Sequence, residues 1–165
     1  MLIRRAAPQD YEIVGSLTEQ AYEDFLEGPG DYYRAFLRDA ATRDREAELW
    51  VAVDDDGSVL GSVTSCPPGS PWRELSRDGE GEFRMLAVSA SARGRGVGEA
   101  LVRHCEDRAA ASGATRMWLS TLDEMVHAQR IYAKLGYRPE PSRDWYPEPD
   151  EIPDVQLRAW TKELA

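Results

Sequence analysis

The chain has 165 residues, 42% of them hydrophobic and 30% charged, which suits one soluble domain over residues 1–165 and is short for two. No apolar run approaches the roughly 20 residues that cross a bilayer, so no membrane association is expected. A formal net charge of −10 argues against nucleic acid, whose phosphates require a basic face.

Met1-Leu2-Ile3-Arg4-Arg5 has basic residues with no apolar core after them, so no secretory signal is expected. Leu2–Ala6 reads as a first strand ended by Pro8. Asp10 stands where an N-cap would open a helix to about Leu26, with Ile13, Val14, Leu17, Ala21 and Phe25 at helical spacing. Gly28-Pro29-Gly30 breaks it, and Asp31 opens a second helix carrying Tyr33, Phe36, Leu37 and Ala40. Arg43-Asp44-Arg45-Glu46 reads as a solvated turn. Leu49–Val53 and Val59–Thr64 form a hairpin around Asp54-Asp55-Asp56-Gly57. The aspartates lack the alternating ligands of a calcium loop. From Cys66 to Gly81 runs a breaker-rich loop containing Trp72, read equally as a substrate lid or as a disordered connection.

Glu82–Val88 then reads as a central strand. It leads into Arg93-Gly94-Arg95-Gly96-Val97-Gly98 and a helix bearing Val97, Leu101, Cys105 and Ala109, stopped at Gly113. Arg116–Thr121 is a strand, and Asp123 is the expected N-cap of a helix with Ala128, Ile131, Tyr132 and Leu135 on one face, ended by Gly136. Strand, glycine loop, helix, strand is a right-handed crossover, so its two strands should be parallel. Tyr137–Glu148 and Asp154–Thr161 supply the last strands. Cys66 and Cys105 show neither metal spacing nor a disulfide framework, so reduced thiols in a cytoplasm are the simplest reading. His104 and His127 have no accompanying ligands, and no metal is expected.

Glycines at 94, 96 and 98 let the backbone pass close to a bulky group. The N–H groups at the start of a helix have no intrahelical partner and, with the positive end of the dipole, suit a pyrophosphate. Arg93 and Arg95 add charge; the plain alternative is an exposed Gly/Arg loop. A Walker loop fails because Gly98 is followed by Glu99-Ala100. The dinucleotide fingerprint fails because Glu99 and Leu101 stand where glycine is needed. Arg-x-x-Gly-x-Gly after an apolar strand does fit.

That pattern, with Ala128-Gln129-Arg130-Ile131-Tyr132-Ala133-Lys134-Leu135-Gly136-Tyr137 downstream, resembles the GNAT superfamily of acetyl-CoA-dependent N-acetyltransferases. The resemblance implies an α/β (α+β) fold: a mixed, mostly antiparallel sheet of six to seven strands split between the fourth and fifth, with about four helices. It implies acetyl-CoA as co-substrate, its pantetheine arm on the backbone of Leu86, Ala87 and Val88, its pyrophosphate on Arg93–Gly98, and Ala128 beside the arm. Many relatives have Asn three residues before that Ala; here Met125 stands there, which puts one cofactor contact in doubt.

The implied reaction is direct attack of a primary amine on the acetyl thioester, the amine belonging to a small molecule or a protein. Such an amine is protonated at neutral pH, with a pKa of about 10.4 for a lysine-like group, so a proton acceptor is required. Glu82 matches the position of a catalytic Glu in one branch of the family; otherwise it is a surface carboxylate or a partner of Arg84, and Glu80 is a nearby substitute. On strict alternation Glu82, Arg84, Leu86 and Val88 share one face. An amide N–H near Val88 suits the oxyanion. Tyr132 stands where relatives protonate the leaving thiolate, or else is a core aromatic. Trp145 and Tyr146 line the acceptor pocket or pack internally. Glu19, Glu23, Asp24 and Glu27, with Glu148, Asp150, Glu151 and Asp154, suggest a cationic acceptor. A non-catalytic acyl-CoA-binding or sensing protein on the same fold is the alternative, and a homodimer is compatible with either.

Overall fold

Alternation of apolar side chains gives the early strands two buried faces. In the strand Glu48–Val53 (β2), Leu49, Val51 and Val53 pack with Val14 and Ala40 on one side. Trp50 and Ala52 join Phe83, Val97 and Leu101 on the other. The computed structural model describes residues 1–26, 32–147 and 155–165. Among these, seven strands form one open sheet in the order β1-β2-β3-β4-β5-β7-β6. The remaining strands are β1 (Leu2–Arg5), β3 (Val59–Ser65), β4 (Glu80–Val88), β5 (Arg116–Thr121), β6 (Arg138–Pro139) and β7 (Arg158–Glu163). All neighbours are antiparallel except β4 and β5, which are parallel as the crossover requires.

Two features of β4 position everything else. It pairs with β5 only from Glu80↔Arg116 to Glu82↔Trp118, so from Arg84 to Val88 the edge facing β5 has no strand partner. Against β3 its register slips one residue between Thr64↔Arg84 and Ser62↔Ala87, and Met85 has φ +51°. This bulge reverses the alternation. Arg84 and Met85 meet Trp72 on one face, whereas Leu86 and Val88 pack with Phe83 and Leu101 on the other. The single shared face expected for Glu82, Arg84, Leu86 and Val88 is therefore corrected.

Five α-helices flank the sheet among the described residues: α1 (Tyr11–Tyr22), α2 (Tyr32–Arg38), α3 (Ala40–Glu46), α4 (Val97–Ala111) and α5 (Val126–Lys134). α4 lies close on β3 because Gly61 lacks a Cβ; one there would stand 2.8 Å from the Ala87 carbonyl oxygen and 3.0 Å from Val97.

Several local expectations change. Asp10 does not cap α1; its carboxylate accepts Arg4 at 2.7 Å and the Ala7 N–H at 2.7 Å. Arg43–Glu46 is the end of α3 rather than a turn. Asp39 caps that helix through the Thr42 N–H at 3.0 Å, and Arg43 is buried, donating to the Phe36 and Leu37 carbonyls. The 66–79 segment is packed, with Cys66, Trp72 and Leu75 buried. Asp123 pairs with Arg158 instead of capping α5. The strand expected over 137–148 is two residues long, since Pro139 and Pro141 remove ladder donors. The expected break at Gly28-Pro29-Gly30, the Asp31 cap, and Glu148 to Asp154 lie outside the described residues.

Candidate active site

After β4 the chain makes a 3-10 turn at Ala90–Ala92 and enters α4 through Gly94 and Gly96, with φ +78° and +77°. These are left-handed conformations that glycine adopts without strain. A Cβ at either would meet nothing within 4 Å, so the turn presents open backbone to solvent. Arg93 and Arg95 are exposed beside it; Arg95 reaches Asp54 at 3.1 Å. Gly98 is buried, and a Cβ there would stand 3.5 Å from Val88, 3.8 Å from Ile131 and 3.9 Å from Leu86. The glycine turn, the end of β4 and α5 thus converge at the parting of β4 from β5. Ala128, half-buried on α5, packs on the same cluster. These groups fit a phosphate-bearing cofactor with an extended arm: outward N–H groups, no side chain in the way, and an unpaired strand edge.

A cleft of about 720 Å³, counted to its open mouth, occupies the other side of the parting. Tyr22, Phe25, Tyr33 and Trp145 contribute aromatic rings, Met85, Leu122 and Leu157 apolar surface, and Arg84 and Glu74 an ion pair. The Trp145 indole N–H donates to Ser120 at 3.0 Å. Tyr146 is 69% exposed and does not line the cleft.

Glu82 is 2% exposed and does not line the cleft either. Its carboxylate accepts the N–H groups of Glu74 at 3.0 Å, Leu75 at 3.2 Å and Ser76 at 3.0 Å, and the Ser76 hydroxyl at 2.7 Å. Glu80 accepts Arg143 at 2.7 Å and the Arg77 N–H at 2.8 Å; burial raises its pKa, but the Arg143 and Arg77 hydrogen bonds and the Arg143 charge together outweigh this and leave it low. Both carboxylates instead border a depression between the 66–68 segment and α4.

Tyr132 is buried, its ring 6.0 Å from Phe83 and 6.1 Å from Tyr137 between centroids. Burial pushes its pKa up, so the hydroxyl keeps its proton at neutral pH, and among the described residues it has no hydrogen-bond partner. Tyr22, on the cleft wall, is likewise shifted up by burial and then by Tyr33 and Tyr132.

The acidity expected around the acceptor is partly cancelled. Glu19 pairs with Arg34 and Arg38, and Glu23 with Arg34. Cys66 and Cys105 are buried free thiols, Cys105 pushed up to about 12 by desolvation. Among the described residues there is no cluster that could hold a metal and no helix long and apolar enough to cross a membrane. The Glu74–Arg84 pair and Tyr22 carried no local sequence signal; only the length of the 66–81 loop marked the region.

The parted sheet, with a glycine turn at its mouth and a lined cleft behind it, defines an acyltransferase fold. The chain belongs to the acetyltransferase (GNAT) family, whose sequence profile matches residues 11–137. Over 92 residues it is 33% identical to the mycothiol acetyltransferase of Beutenbergia cavernae, an alignment covering 55% of this chain and 28% of that protein. The chain spans 23–59% of the length of the curated relatives it matches. Its fold superposes on a GNAT-family acetyltransferase from Staphylococcus aureus Mu50 with a TM-score of 0.76, at 15% identity over 99% of both chains. It also superposes on a GNAT-superfamily phosphinothricin acetyltransferase from Sinorhizobium meliloti in complex with acetyl-CoA. There the TM-score is 0.69 at 18% identity, over 99% of this chain and 88% of the other.

Proposed function

We propose that this chain, as one catalytic domain, transfers an acetyl group from acetyl-CoA to a primary amine by direct attack. The observation that carries the reading is the unpaired β4 edge from Arg84 to Val88, ending at the Gly94–Gly98 turn. Backbone groups of Leu86, Ala87 and Val88 would hold the amides of an extended arm as a strand would. The first N–H groups of α4, with Arg93 and Arg95, would hold the pyrophosphate. Ala128 leaves room for the arm, and Met125 offers no amide to it. Acetyl-CoA, when bound, supplies the acetyl thioester.

The Tyr132 hydroxyl, protonated at neutral pH, donates to the departing sulfur. A β4 N–H near Val88 donates to the developing oxyanion. The acceptor's proton leaves to water in the open cleft, since both Glu82 oxygens are engaged by the 74–76 backbone. Two buried reduced cysteines support a cytoplasmic setting.

Calorimetric titration with acetyl-CoA tests the cofactor assignment. Micromolar binding is expected, abolished by Gly96→Glu, which sets a side chain and a like charge against the phosphates. Gly113→Glu, at a similar φ of +89° at the far end of α4, controls for backbone strain and should bind as wild type. Unchanged binding by a folded Gly96→Glu protein removes the assignment.

A further inference from the structure

Arg93 and Arg95 flank Gly94 in the turn before α4, yet their surroundings differ. Arg93 is exposed and, among the described residues, has no ion pair. Arg95, between two glycines of left-handed φ, is turned to the hairpin that joins β2 and β3. There one guanidinium nitrogen stands 3.1 Å from Asp54 Oδ2. The hairpin is fixed in that place. The Ser89 N–H, just past β4, donates to the Leu60 carbonyl at 2.8 Å, and the missing Cβ of Gly61 lets β3 lie against Ala87 and Val97. The Asp54 N–H donates to the Ser58 carbonyl at 2.9 Å, and Asp54 Oδ1 accepts the Asp55 N–H at 3.1 Å, which leaves Oδ2 for Arg95. Its neighbours are directed elsewhere: Asp56 accepts the Ser58 N–H at 2.9 Å, and Asp55 is 99% exposed, 3.7 Å from the terminal amine. The Arg95–Asp54 pair is one contact between groups 48% and 31% exposed, and such pairs hold weakly. A phosphate offers the same guanidinium two parallel charge-assisted hydrogen bonds.

We infer that Asp54 is a resident counter-ion for Arg95. It holds the guanidinium beside the glycine turn in the free protein, yields it when the cofactor pyrophosphate arrives, and takes it back as coenzyme A leaves. Asp54 is thus a positioning residue that acts through Arg95 and lowers cofactor affinity, because binding gains only the difference between two ion pairs. Arg93 carries no such competitor. This rests on the acetyl-transfer reading in taking the glycine turn as the pyrophosphate site.

Calorimetric titration with acetyl-CoA at about 0.15 M salt, where charges are screened beyond about 8 Å, tests the exchange. Asp54→Asn keeps the oxygen that accepts the Asp55 N–H, so the turn survives, and it removes the competing charge. It should bind acetyl-CoA about threefold to fivefold more tightly than wild type, the upper worth of a half-exposed ion pair. Damage to the turn would not produce a gain in affinity. Arg95→Gln should weaken binding, and adding Asp54→Asn to it should change affinity by less than about twofold. Asp55→Asn removes an equal charge from the same hairpin and should stay within about twofold of wild type. Unchanged or weaker binding by Asp54→Asn overturns the proposal, as does unchanged affinity in Arg95→Gln or an equal gain in Asp55→Asn. A gain from Asp54→Asn that persists in the Arg95→Gln background marks a general field effect and overturns the exchange at Arg95. No saturable binding of acetyl-CoA by wild type removes the cofactor assignment and this inference with it, whereas every other outcome leaves that assignment standing.

Discussion

Met85 and Leu86, adjacent in β4, leave the strand on opposite sides of the sheet. Met85, at φ +51°, is buried with Leu37 and Trp72 and lines the aromatic cleft. Leu86 comes within 3.9 Å of the position a Cβ would take at Gly98. One strand therefore serves both the cleft and the glycine turn, and the bulge between them makes this geometrically possible.

The bulge can be tested by stability. Met85→Ala deletes a buried side chain and should cost about 2–5 kcal/mol. Glycine is ordinarily worse than alanine in a strand by roughly 0.5–1 kcal/mol, but a left-handed φ penalises any Cβ by about 1–2 kcal/mol. Met85→Gly should thus be at least as stable as Met85→Ala in urea unfolding. The ordinary order, with glycine clearly worse, would show that the left-handed conformation is not populated in solution.

The same bulge marks where the sequence stopped being legible. The two motifs carry hard steric and hydrogen-bonding requirements within ten residues or so, and they located the glycine turn, α5 and the parting of the sheet. Period-two reasoning could not foresee an inserted residue, so it put Glu82 and Leu86 on one face. Arg43 looked solvated because cationic side chains usually are. It is buried because the Phe36 and Leu37 carbonyls at the end of α2 needed donors. The 66–79 segment looked loose because its anchor, Glu82, comes after it in the chain.

His104 should impose a mild acid sensitivity. Its ring lies 4.2 Å from that of Trp50 between centroids, and desolvation, then Arg108, holds its pKa below the ordinary 6.5. The unfolded chain therefore binds the proton more readily. This contribution is fully present above about pH 6.5 and is lost as pH falls through that value toward the folded pKa. Urea midpoints should drop between about pH 7.5 and about pH 5.5, and His104→Gln should flatten the drop. A profile unchanged by the substitution would assign the acid sensitivity to other groups.

Tyr132→Phe keeps the ring contacts with Phe83 and Tyr137 and removes a hydroxyl that has no hydrogen-bond partner among the described residues. Folding and acetyl-CoA affinity should survive, while turnover falls on the order of 10²-fold if the hydroxyl is the general acid. The deficit should shrink for acyl donors whose thiol is more acidic, because these leave without help. Full turnover with chemistry rate-limiting would make Tyr132 purely structural.

The most direct measurement combines acetyl-CoA with a panel of primary amines and follows two products together, free CoA thiol and N-acetylated amine by mass spectrometry. Acetyl transfer by direct attack predicts that both appear in equal amounts, only when protein and amine are present, and that Gly96→Glu suppresses both. Tight binding of acetyl-CoA with neither product formed, across amines, aminoglycosides, polyamines and peptide N-termini, would contradict catalysis and leave an acyl-CoA-binding protein on this fold.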